Sequence, residues 1–103
     1  MHIVLLRFSH NKAAAPQHMA GHKDWLQRGF DDGSFLLSGS LAGGQGGMVL
    51  AAPGVAPAAL AERVQQDPFV SEQVVSAEII SVAPHRADER LRCLMAEEGA
   101  RTA

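Results

Sequence analysis

The stretch that decides the fold lies at residues 3–8 and has the sequence Ile3-Val4-Leu5-Leu6-Arg7-Phe8. This run is short, apolar and rich in strand-forming residues, and it ends at a turn-like segment, so it predicts a central β-strand. Alternate side chains of a strand point to opposite faces of the sheet. The even-numbered residues would therefore face one layer, while Ile3 and Leu5 need cover on the other side.

The pattern that follows predicts a helix and then a β-hairpin. Pro16 suits the first turn of a helix, and apolar residues then recur at spacings of three and four until Asp31-Asp32-Gly33 ends the pattern. Strands are predicted over residues 34–40 and 48–52, with the glycine-rich segment 43–47 as the hairpin loop. The inward face of the helix would carry Met19, His22, Leu26 and Phe30.

A second helix, a fourth strand and a terminal helix complete the predicted order. Pro57 opens the second helix, which ends near Gln66 because the residue before Pro68 avoids the helical region of backbone space. The fourth strand is expected over residues 74–82. The segment from Ala87 to Ala96 predicts a charged terminal helix, on which the Cys93 thiol would be buried or half-buried.

The order βαββαβ is that of the ferredoxin-like arrangement, an α+β fold. Right-handed crossovers place both helices on one face of a four-stranded antiparallel sheet. The other face would expose the apolar side chains of the first strand, and a partner sheet is the simplest cover for them. We therefore expect a homodimer formed through the sheet face. Residues 1–84 are the expected domain, and residues 85–103 are the expected C-terminal helix and tail.

Composition and charge exclude several classes of protein. The chain has 103 residues, of which 47% are hydrophobic and 19% charged, as is typical of one globular domain. Its formal net charge is −2 and its basic residues are scattered, so nucleic acid is not an expected partner. No apolar run approaches the ~20 residues that span a bilayer, and no signal-peptide pattern is present. The lone Cys93 cannot form an intrachain disulfide, so we expect a cytoplasmic protein with no membrane partner.

His22 and Asp67 are the candidate catalytic pair. A carboxylate can hold one ring nitrogen of a histidine protonated and leave the other free as a base. Asp67 comes just after the predicted second helix, and Pro68 fixes the backbone beside it, so its carboxylate can be aimed. Both residues also have a structural interpretation, because inward histidines are often satisfied core residues and an aspartate before proline often caps neighbouring amides.

Small and aromatic residues predict the substrate-binding part of the same pocket. Ser38 and Ser40 occupy alternate positions of one strand, so both hydroxyls would point to one face and hydrogen-bond a small ligand. Gly46 and Gly47 would let that ligand approach the backbone closely, and Phe69 would form a wall. The glycine tract precedes a strand rather than a helix, so it does not predict a phosphate-binding loop.

A zinc site is a minor alternative for the same helix. His18 and His22 are four residues apart and share a helix face, a spacing that can bind zinc. No third ligand can be named from the sequence. We therefore predict no metal and no cofactor.

Several segments together resemble the YCII-related (YciI-like) family. They are the opening strand, His22-Lys23-Asp24-Trp25-Leu26, the segment from Gly33 to Gly39, the Gly46-Gly47 pair and Asp67-Pro68-Phe69. The resemblance covers roughly residues 1–84 and implies a ferredoxin-like dimer similar to dimeric α+β barrel proteins, with the helical histidine and the aspartate as an active-site pair. One relative is a dehydrochlorinase of a chlorinated aromatic compound. Met19 and Ser40 stand where related sequences often carry arginine and proline.

The sequence leaves three functions open. The first is a small enzyme that uses His22 and Asp67 for general acid/base chemistry of isomerase or lyase type on a small organic substrate, cyclic and aromatic ones included. No serine, cysteine or lysine is in an evident position to act as a nucleophile, which disfavours hydrolysis through a covalent intermediate. The second is a non-catalytic dimer that binds a small-molecule ligand or has a regulatory role, and the third is a structural interaction module. Fold alone does not choose among them.

Overall fold

Four strands form an antiparallel sheet in the computed structural model, which describes residues 1–95. The strands are β1 (His2–Phe8), β2 (Phe35–Ser40), β3 (Gly46–Ala51) and β4 (Val75–Ser81), and they lie in the order β2-β3-β1-β4. The prediction of a central first strand is confirmed, since β1 pairs with both β3 and β4. The hairpin is confirmed as well, because β2 pairs antiparallel with β3. This α+β architecture is compatible with the expected ferredoxin-like arrangement.

Three α-helices connect the strands. They are α1 (Ala15–Asp31), α2 (Pro57–Gln65) and α3 (Pro68–Ser71), and short 3₁₀ helices occur at Lys12–Ala14, Ala42–Gly44 and Glu89–Met95. A proline stands in the first turn of each α-helix, where its missing N–H costs no hydrogen bond. The sequence analysis missed α3, because a helix of one turn is too short to show a periodic pattern.

One hydrophobic core lies between the helices and one face of the sheet. Trp25 of α1, Leu60 and Val64 of α2 and Phe69 of α3 are buried there. The sheet and the turn before β4 supply the other buried apolar residues, which are Val4, Leu6, Phe35, Val49, Ala51, Val74 and Val75. Burial of side chains of this size stabilises a fold by roughly 1.5–3 kcal/mol each, so this layer is the main support of the architecture.

The inward face of α1 differs in part from the expected one. His22 is inward as predicted, with 14% of its side chain exposed. Met19 and Phe30, however, are 39% and 38% exposed, and Trp25 and Gly29 take the buried positions. The reason is close packing, since a Cβ on Gly29 would lie 2.0 Å from the Phe35 ring. Gly29 lets α1 approach β2 closely. The helix is therefore rotated so that the face formed by residues 22, 25 and 29 points toward the core.

The opposite face of the sheet carries a continuous apolar row. Leu37, Leu50, Ile3 and Ile80 are successive cross-strand partners, one from each of the four strands. Paired residues of neighbouring strands point to the same face. Leu37 is 55% exposed and Ile80 is 37% exposed in the single chain. We call the surface formed by Ile3, Leu5, Leu37, Leu50 and Ile80 the outer face.

The segment after β4 departs from its prediction. Residues 82–88 have no regular structure, and the helix that follows, Glu89–Met95, is of the 3₁₀ type and kinked at Leu91. The prediction of a buried or half-buried Cys93 is wrong, because this thiol is exposed. Without a packed face, a short helical segment gains too little to become a regular α-helix. Ala96, the predicted end of this helix, lies outside the described residues.

Over residues 1–95, none of the helices has both the length and the apolar character needed to cross a bilayer.

Candidate functional site

A cavity of about 330 Å³ lies between α1 and the helix-covered face of the sheet. The sheet presents the small residues Ser38, Ser40 and Gly47 to this cavity. They share one face of the sheet with Leu6 and Val49, because Ser40 and Leu6 both pair with Gly47 and Ser38 pairs with Val49. Larger side chains at the serine and glycine positions would fill this space. The cavity is lined by Leu6, Phe8, Met19, His22, Lys23, Leu26, Ser38, Gly39, Ser40, Gly46, Gly47, Met48, Val49, Phe69 and Val75.

The wall of the cavity changes from apolar to polar between its floor and its mouth. At the floor, Leu6, Val49 and Val75 are at most 4% exposed. At the mouth, Lys23 and Ser40 are exposed and Ser38 is half-buried. A ligand would therefore meet hydrocarbon at one end and hydroxyl and ammonium groups at the other. Such a mixture of apolar walls and a few polar groups is typical of small-molecule sites.

His22 and Asp67 form a hydrogen-bonded pair at this cavity. The Nδ1 atom of His22 lies 2.9 Å from Oδ1 and 3.1 Å from Oδ2 of Asp67. Because a carboxylate only accepts hydrogen bonds, Nδ1 is the donor and carries a proton. The lone pair of the neutral ring is then on Nε2. No hydrogen bond to Nε2 is formed by the part of the chain that the structure describes, so this atom is available to a ligand.

Asp67 is held in place by the backbone of α3. It is the N-cap residue of this helix, and its Oδ1 accepts a hydrogen bond of 3.0 Å from the Phe69 amide. Its side chain is fully buried. A buried carboxylate is costly unless it is paired and hydrogen-bonded, and here both conditions are met. The two interpretations of Asp67 from the sequence, a cap and a partner of His22, therefore hold together.

The ring of His22 is fixed by aromatic neighbours. It stacks on Phe69 with a centroid distance of 4.1 Å and an angle of 5° between the planes. Trp25 lies on α1 with its ring 6.0 Å away, and its own Nε1 donates to the Arg63 carbonyl over 2.9 Å. Rings held in this way have little freedom to rotate. The imidazole is thus oriented by stacking as well as by Asp67.

The structure brings the predicted site residues together. Six of them line the cavity, namely His22, Ser38, Ser40, Gly46, Gly47 and Phe69. Asp67 does not line it, because it lies behind His22 and is sealed from solvent. Their roles in binding or catalysis remain predictions.

Sequence reasoning missed Lys23 and the apolar floor. Lys23 follows His22 on α1 and lines the cavity beside it. The signal that could have found it is its position next to a candidate base on a helix whose one face borders the pocket. Leu6 was expected on one face of the first strand and Val49 within the third strand, and nothing in the sequence shows that part of their surface faces a cavity.

No group of three or more histidine, cysteine, aspartate or glutamate side chains that could hold an ion occurs in residues 1–95. His22 already uses Nδ1 for Asp67. The pairing of His18 with His22 therefore gains no third ligand from the described chain.

Comparisons with known proteins give no relative from which a role could be transferred. No protein-family model, no curated protein and no solved structure matches the chain. The function has to be inferred from the geometry of the cavity itself.

Proposed function

We propose that this protein is a small enzyme in which His22 acts as a general base and acid on a small organic substrate, while Asp67 orients the imidazole. One observation carries the proposal: a fully buried carboxylate bonds Nδ1 of a histidine whose ring lines an open cavity. A histidine with one nitrogen fixed and the other unpaired is suited to take a proton from a substrate and return it elsewhere.

The class of reaction follows from what surrounds the base. Proton transfer alone yields isomerisation or elimination, so the activity is of isomerase or lyase type. Ser38 and Ser40 can donate hydrogen bonds to a carbonyl or hydroxyl of the substrate. Gly46 and Gly47 leave the backbone open to close approach, and Phe69 offers a flat wall for a cyclic or aromatic body. At about 330 Å³ the cavity suits a substrate of about one ring.

The experiment is a proton-transfer screen in deuterated water. Small unsaturated ketones, lactones and ring compounds with acidic C–H bonds are incubated with the protein, and NMR records deuterium incorporation or isomerised product. We expect turnover of at least one compound. We expect His22→Ala to lower the rate by about 10²- to 10⁴-fold, the usual contribution of a general acid/base. Asp67→Asn should lower it too, since an amide can fix the wrong ring tautomer.

His18→Ala is the matched control for this screen. His18 lies on the same helix one turn before His22 but does not line the cavity, so its loss should leave the rate unchanged. Equal rates for wild type and His22→Ala would contradict the proposal. Binding of a compound without any exchange or product would instead favour the non-catalytic ligand-binding dimer.

The proposal includes a homodimer formed through the outer face, in the manner of dimeric α+β barrel proteins. A row of apolar side chains crosses all four strands on that face. A second copy of the sheet would remove this row from water, and isologous dimers are the commonest oligomers of soluble proteins.

Membership of the YCII-related family and a cytoplasmic location are also part of the proposal. Support for the family comes from the chain segments that carry the resemblance. His22, Ser38 and Gly39 from these segments line one cavity, and Asp67 bonds His22 from behind it. Support for the location comes from the single cysteine, which fits a reducing compartment.

A further inference from the structure

Among residues 1–95, the one charged side chain that lines the cavity is positive, whereas the chain as a whole is acidic. That side chain is Lys23, because the His22 ring is neutral when it acts as a base and no acidic side chain of the described residues lines the cavity. The complete chain has a formal net charge of −2. The carboxylate of Asp67 lies behind His22, where it is buried and already accepts hydrogen bonds from His22 and the Phe69 amide. An anionic ligand would therefore meet no repelling group on the wall.

Lys23 is free to pair with such a ligand. Its ammonium makes no hydrogen bond or ion pair within residues 1–95, and the residue is exposed at the mouth of the cavity. A lysine carries its charge on a flexible stem of four carbons, so the ammonium can move over the mouth. Ser38 and Ser40 line the same mouth and add hydroxyl donors.

Polarity also fixes the direction in which a ligand lies. Hydrocarbon covers the floor, and the cationic and hydroxyl groups are at the mouth. With these observations, and resting on the proposed function, we propose that the substrate is a small unsaturated or aromatic carboxylic acid. Its carboxylate pairs with Lys23 at the mouth, and its apolar body lies on Leu6 and Val49.

This orientation places the substrate correctly for the proposed base. The side chain of His22 is 14% exposed, between the values of the sealed floor and the open mouth. Because Lys23 directly follows His22 on α1 and both line the cavity, a carboxylate bound by Lys23 would bring its adjoining carbon atoms near the His22 ring. The carboxylate thus anchors the substrate, and His22 transfers protons at the adjoining carbon atoms.

The test compares benzoate with benzamide, its neutral analogue of similar shape, as binding probes. Each is titrated into the 15N,13C-labelled protein, and the shifts of the Leu6 and Val49 methyl signals give the Kd. We expect benzoate to bind about two- to fivefold more tightly than benzamide, the range for one partly solvated charge pair. Lys23→Met should weaken benzoate by the same factor and leave benzamide unchanged.

Arg28→Met is the matched control, because Arg28 is an exposed cation on the same helix that does not line the cavity. It should leave both Kd values unchanged. Three results would overturn the carboxylic-acid proposal: benzamide binding as tightly as benzoate, Lys23→Met binding benzoate as tightly as wild type, or benzoate leaving the cavity methyl signals unmoved. The proposed general base is judged separately, by the effect of His22→Ala on deuterium exchange, so the two proposals can fail independently.

Discussion

At the scale of single residues, Asp67 has two structural roles, as the cap of a helix and as the hydrogen-bond partner of a histidine. One carboxylate caps α3 through the Phe69 amide and bonds the ring of His22 on α1. Gly21 helps to bring the two helices together, since a Cβ there would lie 3.0 Å from the Pro68 ring. The orientation of the candidate base is thus tied to the packing of α1 against α3.

Removal of the Asp67 carboxylate should lower stability clearly. Asp67→Ala deletes a helix cap and leaves His22 without its partner, and together these losses are worth about 2–4 kcal/mol in the free energy of unfolding. Urea denaturation followed by circular dichroism measures the change. Asp24→Ala is the control, because Asp24 is an exposed carboxylate on α1, and its change should stay within about 0.5 kcal/mol. A change below about 1 kcal/mol for Asp67→Ala would show that the buried hydrogen bonds contribute little.

The pairing of His22 with Asp67 was anticipated from the residues together with the resemblance to the YCII-related family, whereas the surroundings of the pair could not be anticipated. The helical period placed His22 inward, and Pro68 marked the point where Asp67 is fixed. The place of Lys23 at the mouth depends on how α1 rotates over the sheet. That rotation is set by contact between Gly29 and Phe35, which local sequence pattern does not specify.

At the scale of secondary-structure elements, the entry to β3 depends on Gly46. Its φ of +134° favours glycine, and a Cβ would lie 1.9 Å from the Leu6 carbonyl oxygen of β1. Gly46→Ala should therefore cost about 2 kcal/mol or more, since backbone strain and a steric clash combine. Thermal and urea unfolding measure this cost.

Gly44→Ala separates the two causes. Gly44 has a φ of +68°, and no atom lies within 4 Å of its Cβ position. Only the left-handed backbone penalty applies there, about 1 kcal/mol. Equal losses of stability in Gly46→Ala and Gly44→Ala would contradict the close approach of β1 to β3 at Gly46.

The junction of α1 and β2 should make stability depend on pH in the acid range. The side-chain hydrogen bond with Ser34 and then that with Arg63 hold the pKa of Asp32 below its usual 3.8. A lowered pKa stabilises the fold above the unfolded-state value, and this contribution is lost as pH falls through the folded-state value. The stability difference between wild type and Asp32→Asn should thus be present at neutral pH and disappear in acid.

Urea denaturation over a pH series checks this prediction. Arg63→Met removes the cation that lies 2.6 Å from the Asp32 carboxylate, so in its background the effect of Asp32→Asn should be smaller. A stability difference that persists unchanged below the folded-state pKa would contradict the assigned cause.

Element order was predictable because each long element carries its own pattern. A short apolar run indicated β1, and prolines marked the starts of α1 and α2. The predictions that failed concern elements whose sequences have no clear periodic pattern. The single turn of α3 is stabilised by its Asp67 cap, and the terminal segment lacks a packed face, so neither could be obtained from periodicity.

At the scale of the whole molecule, the two faces of the sheet have different roles. One face supports the helices and contains the cavity, and the outer face carries an apolar row that the described chain does not cover. If the proposed dimer forms through the outer face, both cavities stay on the helical sides and remain open to solvent. Assembly and ligand binding would then be separable by mutation.

A charge in the outer face should dissociate the dimer. Leu37→Lys places an ammonium on the edge strand β2, within the apolar outer face, where an unpaired charge buried by a partner sheet is costly. Sedimentation velocity should show a dimer for wild type and a monomer for this variant. Ala59→Lys, which adds the same charge to the exposed surface of α2, should remain dimeric. A monomeric wild type, or a dimer that survives Leu37→Lys, would contradict the proposed interface.

The protonation of the His22 ring tests the central claim most directly. Long-range 1H–15N correlation spectra of the labelled protein, recorded with the His22 ring in its neutral form, identify which ring nitrogen carries the proton. We expect a proton on Nδ1, bonded to Asp67, and a bare Nε2 whose signal shifts when benzoate enters the cavity. A neutral ring protonated on Nε2 instead would leave no base facing the cavity and would contradict the proposed function.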